Sequence, residues 1–126
     1  MIQAFNETKG IIVAVSVRRA DNLWSRFWGL MGRRALPEGE ALHIVPCTSV
    51  HTFFMRFDMD ALFLDREHRV VKVISAMKPF RAALGGKGAH SVLEMTAGAI
   101  ADVEAGDALV FRDSATQSAD ESKRSL

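Results

Sequence analysis

Residues able to do chemistry gather in one short stretch around a single cysteine. Cys47 and His51 are four positions apart, and a thiol beside an imidazole can form the thiolate–imidazolium pair of a cysteine nucleophile. The same two side chains could ligate a metal ion with help from Asp60, His90 or Glu94. The stretch shows no oxyanion hole, and established metal motifs are denser in Cys and His. A buried thiol acting as a small hydrophobe and a core histidine bonded to backbone are simpler interpretations.

Two carboxylates fall in segments that look buried. Asp60 precedes a run of four apolar residues, and Glu94 is flanked by apolar residues on both sides. Because an unpaired buried carboxylate is costly, we expect Arg56, Arg81 or a row of backbone amides to hold Asp60. The two acids could act as general acid and base if they faced one pocket. Structural pairing with arginine, which would let Asp60 pin the sheet, is the interpretation we favour.

The leading functional hypothesis is a non-enzymatic module that binds a small ligand or a protein. Its site is predicted where polar residues stand beside aromatic ones, next to the glycine-containing connection 77–90. The predicted site residues are Cys47, His51, Thr52, Arg56, Asp60, Arg81 and Glu94. The alternative is a small hydrolase or metal-dependent enzyme that uses Cys47, His51, Asp60 and Glu94. For the favoured module we expect no metal and no cofactor.

Length and composition limit the classes of protein that could carry such a site. The 126 residues suffice for one domain, and 48% hydrophobic with 25% charged residues is typical of a soluble globular protein rather than a disordered or fibrous one. A formal charge of +1 argues against nucleic-acid binding, although the stretch from Arg18 to Arg34 contains five arginines, counting both ends.

The single cysteine excludes an internal disulfide and favours a reducing, cytoplasmic setting. The apolar run 11–15 is too short to cross a bilayer, so no transmembrane segment is predicted.

One helix and a series of short strands must position these residues. The β-branched run 11–17 predicts a strand, and the helix that follows begins with Asp21 or Asn22 as N-cap and ends at Met31. Further strands are predicted over 41–45, 50–57, 59–64, 69–76, 91–95 and 108–111, with a polar turn at 65–68 and a short helix over 98–104. His43 and His68 are assigned no function, since one starts a strand and the other lies in that turn.

The predicted fold class is α+β. Because short strands dominate and no βαβ alternation is visible, we expect a β-rich antiparallel sheet, curled or partly closed into a barrel. The N-terminal helix should pack on this sheet, and the short second helix should lie near the C-terminus. A single globular domain is predicted over residues 1–111. Residues 112–126 hold one large apolar residue, at their end, and are predicted to form a disordered tail.

An ordered set of motifs resembles a known family. The motifs are Gly29-Leu30-Met31, Val50 to Met55, Asp60 to Asp65, Val70-Val71, Lys78-Pro79-Phe80-Arg81, Val92 to Met95 and Gly106-Asp107. In this order and spacing they resemble the domain-of-unknown-function 192 family, DUF192, from about Arg26 to Phe111. The resemblance implies a small β-rich domain without an established activity, cofactor or catalytic residue.

The chain departs from the family pattern in the stretch that leads to Asp60. Many relatives carry Phe-Trp-Met-Lys-Asn-Thr before Pro-Leu-Asp, whereas this chain resembles the subgroup with Cys47 and His51-Thr52 and has Asp58 in place of the proline. Any role of the Trp-Met-Lys-Asn stretch therefore does not carry over. Characteristic family positions without an assigned role match Asp60, Glu94, Gly98 and Asp107. Family members often have exported or lipoprotein-type N-termini.

Overall fold

Strands make up the regular structure of the residues that are described. The structure, a computed structural model, describes residues 1–20, 38–52, 57–98, 100 and 102–113. The strands in these ranges are β1 (Ile2–Asn6), β2 (Ile11–Ala14), β3 (Ser16–Ala20), β4 (Glu40–Ile44), β5 (Ser49–His51), β6 (Met59–Leu64), β7 (Val70–Met77), β8 (Ala82–Leu84), β9 (Ser91–Thr96) and β10 (Leu109–Asp113).

The α+β assignment is wrong, because no helix occurs in the described ranges. The predicted short helix over 98–104 is replaced by a turn and irregular backbone in the residues described there. Gly98 has a left-handed backbone, with φ of 90°, and the amides of Gly98 and Ile100 donate to Asp60 instead of to a helix. The predicted helix from Asp21 to Met31 lies outside the described residues.

A five-stranded sheet in the order β3-β4-β9-β6-β7 forms the centre of the fold. Its pairs are antiparallel apart from β3 and β4, which run parallel, so the prediction of an antiparallel sheet is wrong at this edge. All six residues of β6 and the first five of β9 are buried. Strands covered on both faces lose the alternation of apolar and polar residues, which explains the continuous apolar run of β6.

Smaller sheets cover the two faces of the central sheet. The three-stranded sheet β10-β1-β2 covers one face, and its residues Ala4 and Leu109 share a core with Leu62 and Leu93. The other face carries Phe63, and β5 and β8 pair with each other above it. The strands thus divide among three sheets where one curled sheet was predicted. We refer to residues 47–52 and 78–85, which contain β5 and β8, as the β5–β8 arch.

Strand β10 continues two residues beyond the predicted domain end, because Arg112 and Asp113 pair with Gln3 and Ile2 of β1. The remaining residues of the predicted tail, 114–126, lie outside the described residues, so the division into domain and tail stays a prediction. In the part of the chain that is described, no helix is long and apolar enough to span a membrane.

Candidate functional site

Hydrogen bonds from Thr52 join the two halves of the β5–β8 arch. In the arch, Ser49 lies opposite Leu84 and His51 lies opposite Ala82. The buried hydroxyl Oγ1 of Thr52 donates to the carbonyl oxygen of Lys78 at 2.6 Å and accepts from the amide of Arg81 at 2.9 Å. The Thr52 amide also donates to the Arg81 carbonyl oxygen at 2.8 Å. These bonds fix the turn from Lys78 to Arg81 against β5, although 26 residues separate Thr52 from Lys78 along the chain.

The turn presents an aromatic side chain to solvent in a strained backbone. Phe80 has a φ of 62°, a left-handed conformation that is rare for a bulky residue, and its side chain is 60% exposed. Its amide donates to the Thr52 carbonyl oxygen at 3.0 Å, which helps to hold this conformation. Leu84, on the following strand, is 71% exposed, while Val50 of β5 points into the core. The outside of the arch is therefore apolar at two points.

The segment that contains this turn is uniformly basic. From His68 to Leu93 the sequence holds five lysines and arginines and no aspartate or glutamate. Lys78, Arg81 and Lys87 are exposed, and none of them takes part in the ion pairs found within the described residues. Lys72 reaches across from β7 and donates through Nζ to the Leu84 carbonyl oxygen at 2.8 Å. Basic residues therefore flank both exposed apolar side chains of the arch along the sequence, and Lys72 adds a cation beside the Leu84 backbone.

Cys47 lies two residues before β5, and His51 is the last residue of that strand. The Cys47 thiol is half-buried and donates to the Ser49 carbonyl oxygen at 2.8 Å, while the Cys47 amide donates to the His90 carbonyl oxygen at 2.7 Å. Its side chain packs against the core beneath the arch. These contacts are typical of a thiol used as a packing residue.

Asp60 and Glu94 occupy opposite faces of the central sheet. In the pairing of β6 with β9, Asp60 lies opposite Met95, and Glu94 lies opposite Ala61, the residue that follows Asp60. Both acids are buried. Residues directly opposite each other share a face and successive residues alternate, so the sheet itself separates the two carboxylates. They cannot act on one substrate as general acid and base.

Backbone amides hold the Asp60 carboxylate. Oδ1 accepts from the Ala76 amide at 2.7 Å, and Oδ2 accepts from the amides of Gly98 and Ile100 at 2.9 and 3.2 Å. The row of backbone amides that the sequence allowed therefore holds Asp60, whereas the favoured pairing with arginine does not occur among the described residues. Asp60 thus connects the start of β6 to β7 and to the turn after β9, which is a structural role.

Asp107 closes a second turn in the same manner. Its Oδ2 accepts from the Asn6 side-chain amide at 2.9 Å and from the Glu104 backbone amide at 3.1 Å, and Lys9 Nζ lies 3.4 Å away. The hydrogen bond from Asn6, followed by those from Glu104 and Lys9, lowers the pKa of Asp107 below its ordinary value. Two of the family's characteristic acids therefore stabilise turns.

The predicted site residues thus separate into two groups. The structure places Cys47, His51, Thr52 and Arg81 on the β5–β8 arch. Asp60 and Glu94 are buried in the sheet, and Arg56 lies outside the described residues. Within the ranges described, no group of three or more His, Cys, Asp and Glu side chains could hold a metal ion.

Sequence reasoning missed a cluster of histidines, His43, His68 and His90, that line one cleft. The three residues lie more than 20 positions apart in the sequence, on or beside different strands. No spacing pattern could have joined them, because only the packing of the sheets brings them together.

Comparisons with known proteins agree with the observed fold. The family model DUF192, described as Uncharacterized ACR, matches residues 4–111. A UPF0127 protein of Pyrococcus furiosus is 36% identical over 111 residues, which cover 82% of this chain and 93% of that protein. A solved protein of unknown function from Novosphingobium aromaticivorans has a TM-score of 0.72 at 19% identity, covering 86% of this chain and 82% of that chain. A Sinorhizobium meliloti protein described as a candidate transcription regulator has a TM-score of 0.74 at 19% identity, covering 87% and 91%. At this identity the two solved structures show a shared fold alone.

Proposed function

Because the chain belongs to DUF192, an uncharacterised family, we propose a function from its own surface: it is a non-enzymatic binding module whose β5–β8 arch docks an acidic, partly apolar segment of a partner protein. The observation that carries this proposal is the pair of exposed apolar side chains, Phe80 and Leu84, on a segment that holds only basic charges. A reducing, cytoplasmic setting stays a prediction that rests on the single cysteine.

The chemistry of the arch favours a protein partner. A contiguous exposed apolar patch with a polar rim is typical of interaction sites, and an aromatic anchor that becomes buried contributes much of the energy of such interfaces. Lys78, Arg81 and Lys87 would attract carboxylates at the rim and repel a second copy of the same arch. An acidic segment with apolar side chains satisfies both features.

The turn is organised for binding before any partner arrives. A residue held in the left-handed region costs about 1–3 kcal/mol and persists when the surrounding structure fixes it, as at ligand-binding sites. Here the backbone and hydroxyl bonds of Thr52 fix the conformation of Phe80. A rigid anchor loses little conformational entropy on binding, which supports a role for Phe80 in recognition.

The alternative, a hydrolase or metal-dependent enzyme, needs Cys47, His51, Asp60 and Glu94 to act together. The sheet separates Asp60 from Glu94, and the Cys47 thiol donates to a backbone carbonyl oxygen. No observation favours this second function, so the binding module is the function we propose.

The test measures fluorescence anisotropy with a labelled synthetic peptide of alternating glutamate and leucine. We expect the wild-type protein to bind it, and the double variant Phe80→Ser, Leu84→Ser to bind at least about tenfold more weakly, a loss of about 1.4 kcal/mol. The matched control is Ile12→Ser, Val15→Ser, which removes apolar side chains of 51% and 47% exposure elsewhere on the surface. This control should bind as the wild type does.

The charge requirement has its own controls. A peptide of alternating glutamine and leucine should bind more weakly than the glutamate peptide, and added salt should reduce the difference. Equal binding of the peptide by the arch variant and the wild type would refute the proposal. Binding to phosphatidylserine vesicles in place of the peptide would also overturn it, since the partner would then be a membrane.

A further inference from the structure

A cleft lined by residues outside the β5–β8 arch forms a second candidate site, and we infer that it binds a small organic anion with an apolar body, such as an aromatic or branched-chain carboxylate. The site is a cleft of about 370 Å³ whose basic lining consists of Arg19, Arg66, His43, His68 and His90. We call it the histidine cleft. Its volume lies at the lower end of the range of about 300–1,000 Å³ that is typical of small-molecule sites.

The rings of the histidine cleft form a fixed wall. His43 stacks on Phe111, with ring centroids 4.4 Å apart and an angle of 12° between the planes. His68 meets Phe111 edge-on at 4.9 Å and His43 at 5.9 Å. His43 Nε2 and Ser91 Oγ form a hydrogen bond of 3.0 Å, which orients the imidazole. The wall is therefore organised without a ligand.

The turn from Asp65 to Arg69 holds His68 in its place. His68 has a φ of 64°, and its amide donates to the Asp65 carbonyl oxygen at 3.1 Å. Asp65 Oδ1 accepts from the amides of Glu67 and Arg69 at 2.9 and 2.8 Å. The carbonyl oxygen of His68 accepts from the Leu109 amide at 3.0 Å, which joins the turn to β10. The left-handed residue is thus fixed from both sides, and its ring points to the cleft.

Positive groups converge on the cleft. Its described lining contains no aspartate or glutamate. Burial, followed by electrostatic repulsion from His68, Arg19 and His90, lowers the pKa of His43 to about 4. His43 is therefore neutral at pH 7 and forms an uncharged part of the wall, while Arg19 and Arg66 supply permanent positive charge. An anion placed there would reduce the repulsion among these groups.

Apolar side chains complete the lining and determine the kind of anion. Ile2, Val17 and Val45 line the cleft together with Phe111. A bare inorganic anion would leave this surface wet, whereas an organic acid could bury a ring or a branched chain against it. Arginine also matches the planar geometry of a carboxylate through paired N–H groups.

The test is a calorimetric titration of the full chain with benzoate, benzyl alcohol and sulfate as probes. We expect benzoate to bind at least about tenfold more tightly than either benzyl alcohol, which lacks the charge, or sulfate, which lacks the apolar body. The double variant Arg19→Gln, Arg66→Gln should lose at least about tenfold in benzoate affinity. Arg69→Gln, which removes an exposed arginine that does not line the cleft, should leave the affinity unchanged.

Two outcomes would overturn the inference: benzyl alcohol binding as tightly as benzoate, or unchanged benzoate affinity in the Arg19→Gln, Arg66→Gln variant. Circular dichroism of each variant establishes that a lost affinity is not a lost fold. The Phe80→Ser, Leu84→Ser variant should bind benzoate normally. The histidine cleft and the β5–β8 arch can therefore fail or succeed independently.

Discussion

Gly85 places the backbone of the β5–β8 arch directly against the core, and its replacement by alanine tests how closely the arch packs there. A Cβ at this position would lie 2.5 and 2.8 Å from two atoms of the Phe63 ring and 2.6 Å from Cβ of Ala89. Favourable carbon–carbon contacts occur at about 3.5–4.0 Å, so the ring or the arch would have to move by about 1 Å. Phe63 is completely buried, and the Gly85 amide donates to the Thr48 carbonyl oxygen, which leaves little room for movement.

Overpacking of a core costs about 1–3 kcal/mol, and the clash on two sides places Gly85→Ala near about 3 kcal/mol. The control is Gly86→Ala, where a Cβ would meet nothing within 4 Å and only the left-handed backbone, with φ of 85°, is strained. That variant should cost about 1–2 kcal/mol. In a domain of this size a loss of 3 kcal/mol lowers the Tm by about 10–20 °C.

The assay is urea unfolding of both variants, of Phe63→Leu and of Gly85→Ala combined with Phe63→Leu. Because leucine removes the ring that a Cβ would strike, the combined variant should be at least about 1 kcal/mol more stable than the sum of the two single losses predicts. Two results would refute the argument that the arch packs against Phe63. One is a combined variant whose loss of unfolding free energy equals the sum of the two single losses, and the other is a Gly85→Ala variant no less stable than Gly86→Ala.

Three further predictions concern buried polar groups. Asp60→Asn turns an amide donor toward backbone N–H groups that need an acceptor, so it should cost about 3 kcal/mol in urea unfolding, while Asp58→Asn should cost less than about 1 kcal/mol. Because the folded pKa of His43 is about 4 against 6.5 unfolded, its contribution to stability is complete above about pH 6.5 and is lost as pH falls toward 4. That loss amounts to about 3 kcal/mol, and unfolding midpoints of His43→Gln should lack this pH dependence. Asp107, with a lowered pKa, contributes stability above the unfolded carboxyl pKa near 4 that is lost at lower pH, and Asp107→Asn should flatten the acid limb of the stability curve. An acid limb unchanged by that substitution would contradict the role assigned to Asp107.

Local sequence patterns located most strands correctly. The apolar run 59–64 matches β6, and the polar turn at 65–68 joins it to β7 as predicted. The segments predicted over 41–45 and 91–95 differ by one residue from β4 and β9. These elements depend on alternation, β-branched residues and turn formers within a few positions, which a sequence displays directly.

Other elements were misjudged because a distant partner decides them. The run 11–17 looks like one strand, yet it divides at Val15 into β2 and β3, which belong to different sheets. The amides of Val15 and Ser16 both donate to the Gly39 carbonyl oxygen at this division. Strand β8 lay inside the predicted irregular connection 77–90 and exists through its pairing with β5, more than 30 positions away. The expected second helix failed because Asp60 takes the amides of Gly98 and Ile100.

The sequence by itself determined the strand-rich composition, the family and the residue types available for chemistry, since these depend on local pattern and motif order. The tertiary structure alone decided which side chains meet. It put Asp60 and Glu94 on opposite faces of one sheet, because a shift of one register position reverses the face. It also gathered His43, His68 and His90 into one cleft from separate strands and turns. Such long-range contacts arise from how whole sheets stack on a shared core, and no short window of sequence contains that information.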